Sequence, residues 1–66
     1  MTLYFEKYSD RREIAHPETE NEAWKEISKF CEERNFKIHY TRSWKTPKGE
    51  KVFDVGSWSE FFILAP

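Results

Sequence analysis

Between Thr19 and Phe36 the apolar residues recur at helical spacing. In TENEAWKEISKFCEERNF, Ala23, Trp24, Ile27, Phe30 and Cys31 fall on one stripe, and Lys25, Glu26, Lys29, Glu32 and Glu33 cover the other side. Thr19 and Glu22 have the spacing of a capping box, in which a hydroxyl and a carboxylate each satisfy a backbone N–H at the start of a helix. Pro17 lies just upstream, where it costs no helical hydrogen bond. Asn35 suits the left-handed residue that ends a helix, with Phe36 folding back on the last turn. The pattern predicts one amphipathic helix, and the remaining segments read as strands around it.

Residues 2–8 alternate as a strand, with Leu3, Phe5 and Lys7 on one side and Tyr4, Glu6 and Tyr8 on the other. Its charges suit an edge position. SDRR is a polar turn, and Glu13 to His16 fits either a short return strand or a loop. Residues 36–45 place Phe36, Ile38, Tyr40 and Trp44 opposite Lys37, His39, Thr41, Ser43 and Lys45, with Arg42 the one charge on the apolar side. TPKGE is a turn that uses the preset φ of Pro47 and the freedom of Gly49. KVFDVGS returns as a strand, GSWS turns again, and EFFILAP is the last strand.

Two registers are open to the central hairpin. A three-residue loop with Gly49 in a bulge pairs Arg42 with Asp54 and Tyr40 with Gly56. A register shifted by one pairs Trp44 with Phe53 and Arg42 with Val55. It gathers Phe36, Ile38, Tyr40, Trp44, Phe53 and Val55 on one face against the helix. A one-residue slip flips every side chain, and each buried apolar side chain contributes roughly 1.5–3 kcal/mol, so the shifted register is expected. The fold class is α+β: one helix packed on a small, mostly antiparallel sheet in the order β-α-β-β-β. A right-handed crossover would set the first strand parallel to the second, beside it or at the far edge beside the fourth.

The chain has 66 residues and forms a single domain over 1–66, near the lower size limit for one core. It carries twelve aromatics, which is generous for so small a core and leaves some free for a partner. A net charge of −1 gives no electrostatic reason for a nucleic-acid or membrane partner. The single cysteine, Cys31, excludes an intramolecular disulfide and points to a reducing, cytoplasmic setting. MTLYFEKYSDRR has no apolar run long enough for a signal peptide, and no segment is long enough to span a bilayer.

Read together, EAWKEISKF, YTRSW and DVGSWSEFFIL resemble a group of small uncharacterised proteins encoded in phages and prophages of Gram-positive bacteria. The likeness covers about residues 20–65. It implies a setting, the bacterial cytoplasm during phage or prophage expression, and assigns no functional residue.

Several constellations have chemistry to weigh. His39, Asp54 and Ser57 are the residue types of a hydrolase triad, but no elbow surrounds the serine and a polar strand face accounts for them. His16, His39 and Cys31 match no zinc spacing, and Cys31 is better explained as a small buried apolar residue. No catalytic residue, metal or cofactor is therefore assigned. Gly56 marks a bend or a close approach of backbone. Trp58 stands between serines in a turn, so its ring is expected in solvent or under a partner. Phe61 to Leu64 are apolar at both phases, so both faces of the last strand want cover while the chain has one helix to give.

The leading expectation is a non-enzymatic interaction protein. It would bind a protein partner, host or a second copy, through Tyr4, Tyr8, Trp58, Phe61 and Ile63, since tryptophan and tyrosine are favoured interface anchors. The alternative is a single-stranded nucleic-acid-binding module using a sheet face with Lys37, His39 and Lys45. The helix stripe generates a first test. Trp24→Ala should cost roughly 3–5 kcal/mol and leave the domain unfolded or molten; a thermal melt matching the parent would show that the stripe is not the core.

Overall fold

A computed structural model describes residues 1–66, and the helix stands where the apolar stripe puts it. In chain order the elements are β1 (Thr2–Lys7), β2 (Asp10–Ala15), α1 (Glu20–Glu33), β3 (Arg42–Lys45), β4 (Lys51–Asp54) and β5 (Glu60–Ala65). Thr19 caps α1: its hydroxyl accepts from the Glu22 N–H at 3.1 Å. The reciprocal bond is displaced by one residue, because the Glu22 carboxylate accepts from the N–H of Glu18 at 2.7 Å. At the other end Asn35 is left-handed at φ 53. The Phe36 N–H donates to Cys31 and the Asn35 N–H to Glu32, the paired bonds of a Schellman ending.

The strands form one five-stranded antiparallel sheet in the order β2-β1-β5-β4-β3. α1 covers one face. Ala23, Ile27 and Cys31 are buried against Leu3, Phe53, Val55, Phe62 and Leu64. Phe30 stacks toward Phe5 at 4.8 Å between ring centres and Phe62 at 5.6 Å. Trp24 meets Phe53 edge-on at 4.7 Å and stays half-buried at the rim of this core.

Residues 10–15 are a strand: Glu13 to Ala15 belong to a return strand, and the turn expected at SDRR is overturned, because Asp10, Arg11 and Arg12 already lie in that strand and only Ser9 is in the turn. They pair with β1 through a two-residue turn in which Tyr8 and Ser9 both have positive φ, 50 and 69. Turns of that shape normally use Asn or Gly, so the residue types at Tyr8 and Ser9 do not announce where the turn falls, and it begins ahead of the polar run in which a turn is expected. A bulge between Leu3 and Tyr4 leaves Ile14 without a cross-strand partner, and Ile14 packs against the core instead. Consequently β1 is not an edge strand: it lies between β2 and β5. The expected parallel relation of the first two strands is also overturned, because the hairpin reverses the chain before the helix begins.

The hairpin register is the second correction. Arg42 pairs with Asp54, Ser43 with Phe53 and Trp44 with Val52, which is the bulged-turn register. The Gly49 N–H donates to the Thr46 carbonyl at 3.0 Å, Thr46 N–H to the Glu50 carbonyl at 2.8 Å, and Gly49 takes φ 84. The register that seemed to maximise burial fails for a geometric reason. β3 is the edge strand, so its helix-facing positions carry Ser43 and Lys45. Tyr40 and Trp44 stand on the opposite face, 52% and 41% exposed, instead of in the helix-side core.

Gly56 sits where the chain of residues 36–41 runs against the β4–β5 loop. Its φ is +94, and a Cβ there would lie 2.7 Å from the Cβ of His39. Gly49 has a similar φ but open space around it. Gly49→Ala should therefore cost only the conformational strain, about 1–2 kcal/mol, and Gly56→Ala at least twice that, as read by urea denaturation. Equal losses would show that the approach to His39 is soft.

Candidate interaction surface

The loop between β4 and β5 is braced from both sides. The Gly56 N–H donates to Asp54 Oδ1 at 2.9 Å, and the His39 N–H donates to the Val55 carbonyl at 3.0 Å. Ser57 Oγ accepts from the Glu60 N–H at 3.3 Å, and Ser59 Oγ donates to Glu60 Oε1 at 2.8 Å. Trp58 crowns this loop and is 100% exposed. Beside it opens a shallow groove of ≈ 400 Å³ lined by Asn35, Phe36, Lys37, His39, Ser57 and Trp58. Pairing of Lys7 with Glu60 brings the β1–β2 turn to the same end of the sheet, so Tyr8, 78% exposed, belongs to this end as well.

The other three residues expected at a partner surface lie elsewhere. Tyr4, Phe61 and Ile63 are on the sheet face opposite α1, on adjacent strands, with Tyr4 directly opposite Ile63. Ile63 is only 4% exposed, which removes it as a contact residue. Neighbouring side chains supply its cover. Arg11 donates to Glu50 at 3.0 Å and to Glu6 at 3.3 Å, and its guanidinium lies 5.3 Å from the Tyr4 ring centre. The Glu50 bond, followed by that to Glu6, outweighs partial desolvation and raises the Arg11 pKa above its ordinary value. Trp44 meets Phe61 edge-on at 6.4 Å. The expected patch is thus two places: an exposed end with Tyr8 and Trp58, and a half-covered face with Tyr4 and Phe61.

The nucleic-acid alternative is divided differently. Lys37 and His39 border Trp58, whereas Lys45 is exposed at the far end of β3, opposite Lys51. Between them stand Arg42 and Asp54, brought opposite each other by the bulged-turn register. Arg42 Nη2 donates to Asp54 Oδ2 at 2.8 Å, with the Arg42 side chain 65% exposed and that of Asp54 5%. The guanidinium lies 5.4 Å from the Trp44 ring centre and 5.9 Å from that of Tyr40. Arg42 and Trp44 share one face of the edge strand, and the Tyr40 ring, just upstream of it, lies beside the same guanidinium. The signal that would have found them is the turn: the bulged register alone sets Arg42 against Asp54.

His39, Asp54 and Ser57 do not assemble a triad. Asp54, expected on the solvent side, is buried, and its two oxygens are taken by Arg42 and Gly56. The Ser57 hydroxyl serves the loop. No three His, Cys, Asp or Glu side chains gather with metal-ligand geometry. Cys31 is buried on α1, where desolvation raises its thiol pKa and suppresses the reactive thiolate. No helix is long and apolar enough to cross a membrane. No family model, curated protein or solved structure matches this chain.

Asp54 links the register of β3 to the shape of the Trp58 loop, and its removal should be felt in both. Asp54→Ala, which strands the Gly56 N–H and Arg42, should cost about 2–3 kcal/mol. Arg42→Ala, which leaves one oxygen of the buried Asp54 carboxylate without its partner while Gly56 keeps the other, should cost about 1–2 kcal/mol. Urea melts of the two variants check this, and an equal loss would place the importance of Asp54 in the ion pair alone.

Proposed function

We propose that this protein is a non-enzymatic binding module whose partner docks on the end of the sheet marked by Trp58. The observation that carries the reading is a tryptophan with its whole side chain in water, on a loop held by four hydrogen bonds. Tryptophan is favoured at binding hot spots because it brings a large apolar area at small entropic cost. The bracing matters as much as the ring, since a pre-organised anchor loses less freedom on binding. Tyr8 at the same end enlarges the surface, and a protein partner, host or second copy, meets both rings. A single strand of nucleic acid is the second reading, favoured by Lys37 and His39 flanking Trp58. The cytoplasm of a bacterial host, implied by the phage and prophage likeness, is part of the same proposal, and the buried free thiol of Cys31 suits it.

Trp58→Ala should change stability by no more than about 1 kcal/mol, because the ring buries nothing in the monomer. Affinity capture from a bacterial lysate, with and without nuclease, should recover a partner with the parent chain and lose it with the variant. A variant that keeps the partner, or that unfolds, removes Trp58 as the anchor.

A further inference from the structure

The chain as a whole is weakly acidic, but its charge is unevenly laid out. From Arg34 to Gly49 there are five cations, Arg34, Lys37, Arg42, Lys45 and Lys48, together with His39 and no carboxylate. The rest of the chain holds the other six cations against all twelve carboxylates. In the structure this stretch is the β3 edge and its two approaches. It runs from the Trp58 groove at one end of the sheet to the Thr46–Gly49 turn at the other. Arg42 alone among the five is in an ion pair, and most of its guanidinium remains in water.

Exposed rings stand with Arg42 on the outer side of this edge, and Lys45 projects from its helix side. Tyr40 and Trp44 flank Arg42 on the outer face, and Trp58 stands beside Lys37 and His39. The strand itself is Arg42–Lys45, shorter than the strand expected over 36–45, and residues 37–41 lead into it outside the ladder; at strand rise the nine residues from Lys37 to Lys45 span at most about 26 Å. That length accommodates on the order of four nucleotides, the lower end of the site sizes seen in small single-strand-binding folds. We infer that the β3 edge binds single-stranded nucleic acid. Phosphates would lie along Lys37, Arg42, Lys45 and Lys48, and unstacked bases would stack on Trp58, Tyr40 and Trp44. An acidic protein segment would satisfy the cations and leave the three rings without a role. A duplex would present phosphates but keep its bases stacked away from them. The acidic remainder of the chain repels a polyanion, which directs it to this edge. The inference rests on the reading of the Trp58 end as a binding surface, takes the nucleic-acid occupant of that surface over the protein one, and extends it along β3.

The test is fluorescence anisotropy with labelled twelve-residue oligo-dT and oligo-U, in a salt series from 20 to 200 mM, using the full chain. Binding is expected, with log affinity falling against log salt at a slope of about −3 for four phosphate contacts. Lys37→Ala with Lys45→Ala and Lys48→Ala should reduce that slope to about −1. Lys25→Ala with Lys29→Ala, on the helix, should leave it unchanged. Tyr40→Ala and Trp58→Ala should each weaken binding about tenfold, and both rings are exposed enough for the variants to fold. Absence of binding at 20 mM salt would overturn the inference, as would equal affinity for a duplex or for poly-glutamate. Failure here, combined with a captured partner that Trp58→Ala still loses, would leave the binding-module reading standing. Oligonucleotide binding that survives Trp58→Ala but not Tyr40→Ala would do the reverse, moving the site wholly onto β3.

Discussion

One helix about 10 Å across cannot cover five strands spaced about 4.8 Å apart. Most of this structure follows from that mismatch. α1 lies over the centre of the sheet, and its wings, Trp24 and Phe30, widen the cover by one ring on each side. Beyond those wings the helix-side positions turn polar: Ser43 and Lys45 on β3, Asp10 and Arg12 on β2. The apolar residues that the helix cannot reach are placed on the other face.

That face has no second layer of backbone, so side chains take its place. Val52 and Ile63 are buried there at the centre of the sheet. Tyr4 stands cross-strand from Ile63 and Trp44 from Val52, with Phe61 edge-on to Trp44 and Arg11, held by two carboxylates, beside the Tyr4 ring. Long amphipathic side chains suit this task, because the stem lies on apolar surface while the head stays wet. The cover thins toward β3, where Tyr40 and Trp44 have no neighbouring strand beyond them. Asp54 is buried at that thinning margin, and the bonds it accepts from Arg42 and Gly56 keep the edge strand and the Trp58 loop in one arrangement.

The local features were legible in the sequence. The cap at Thr19, the left-handed Asn35, the fold-back of Phe36, the turn at Gly49 and the exposure of Trp58 each depend on a few adjacent residues, and each stands as their chemistry requires. What the sequence did not yield were features decided by width. The hairpin register sets burial against turn geometry, and burial has no hold on a strand that the helix does not reach. With β3 recognised as an edge, the turn at Thr46–Gly49 meets no opposition, and Trp44 goes outward with Phe61 for company. β2 was ambiguous because DRREIA shows no clean alternation, and because Tyr8 and Ser9 adopt a turn that their types do not announce. The candidate surface was half legible for the same reason. Trp58 and Tyr8 follow from turns, whereas Ile63 is buried between Tyr4 and Val52, neighbours that only the strand order sets.

Comparison of the two edges bears on what β3 is for. An exposed edge strand needs protection from pairing with another chain, and charge of either sign provides it. β2 meets that need with Asp10, Arg11, Arg12 and Glu13, two acids and two bases, and with no ring. β3 itself carries Arg42 and Lys45 with no carboxylate and sets them beside Trp44, with Tyr40 just upstream; the two rings are about half exposed. Bare aromatics on an edge work against protection, since they invite the apolar contact that the charges discourage. Mixed charge without aromatics, as on β2, would have served stability and solubility equally well. The composition of β3 therefore exceeds what the fold asks of an edge strand, and the excess consists of positive charge and flat aromatic surface at alternating positions.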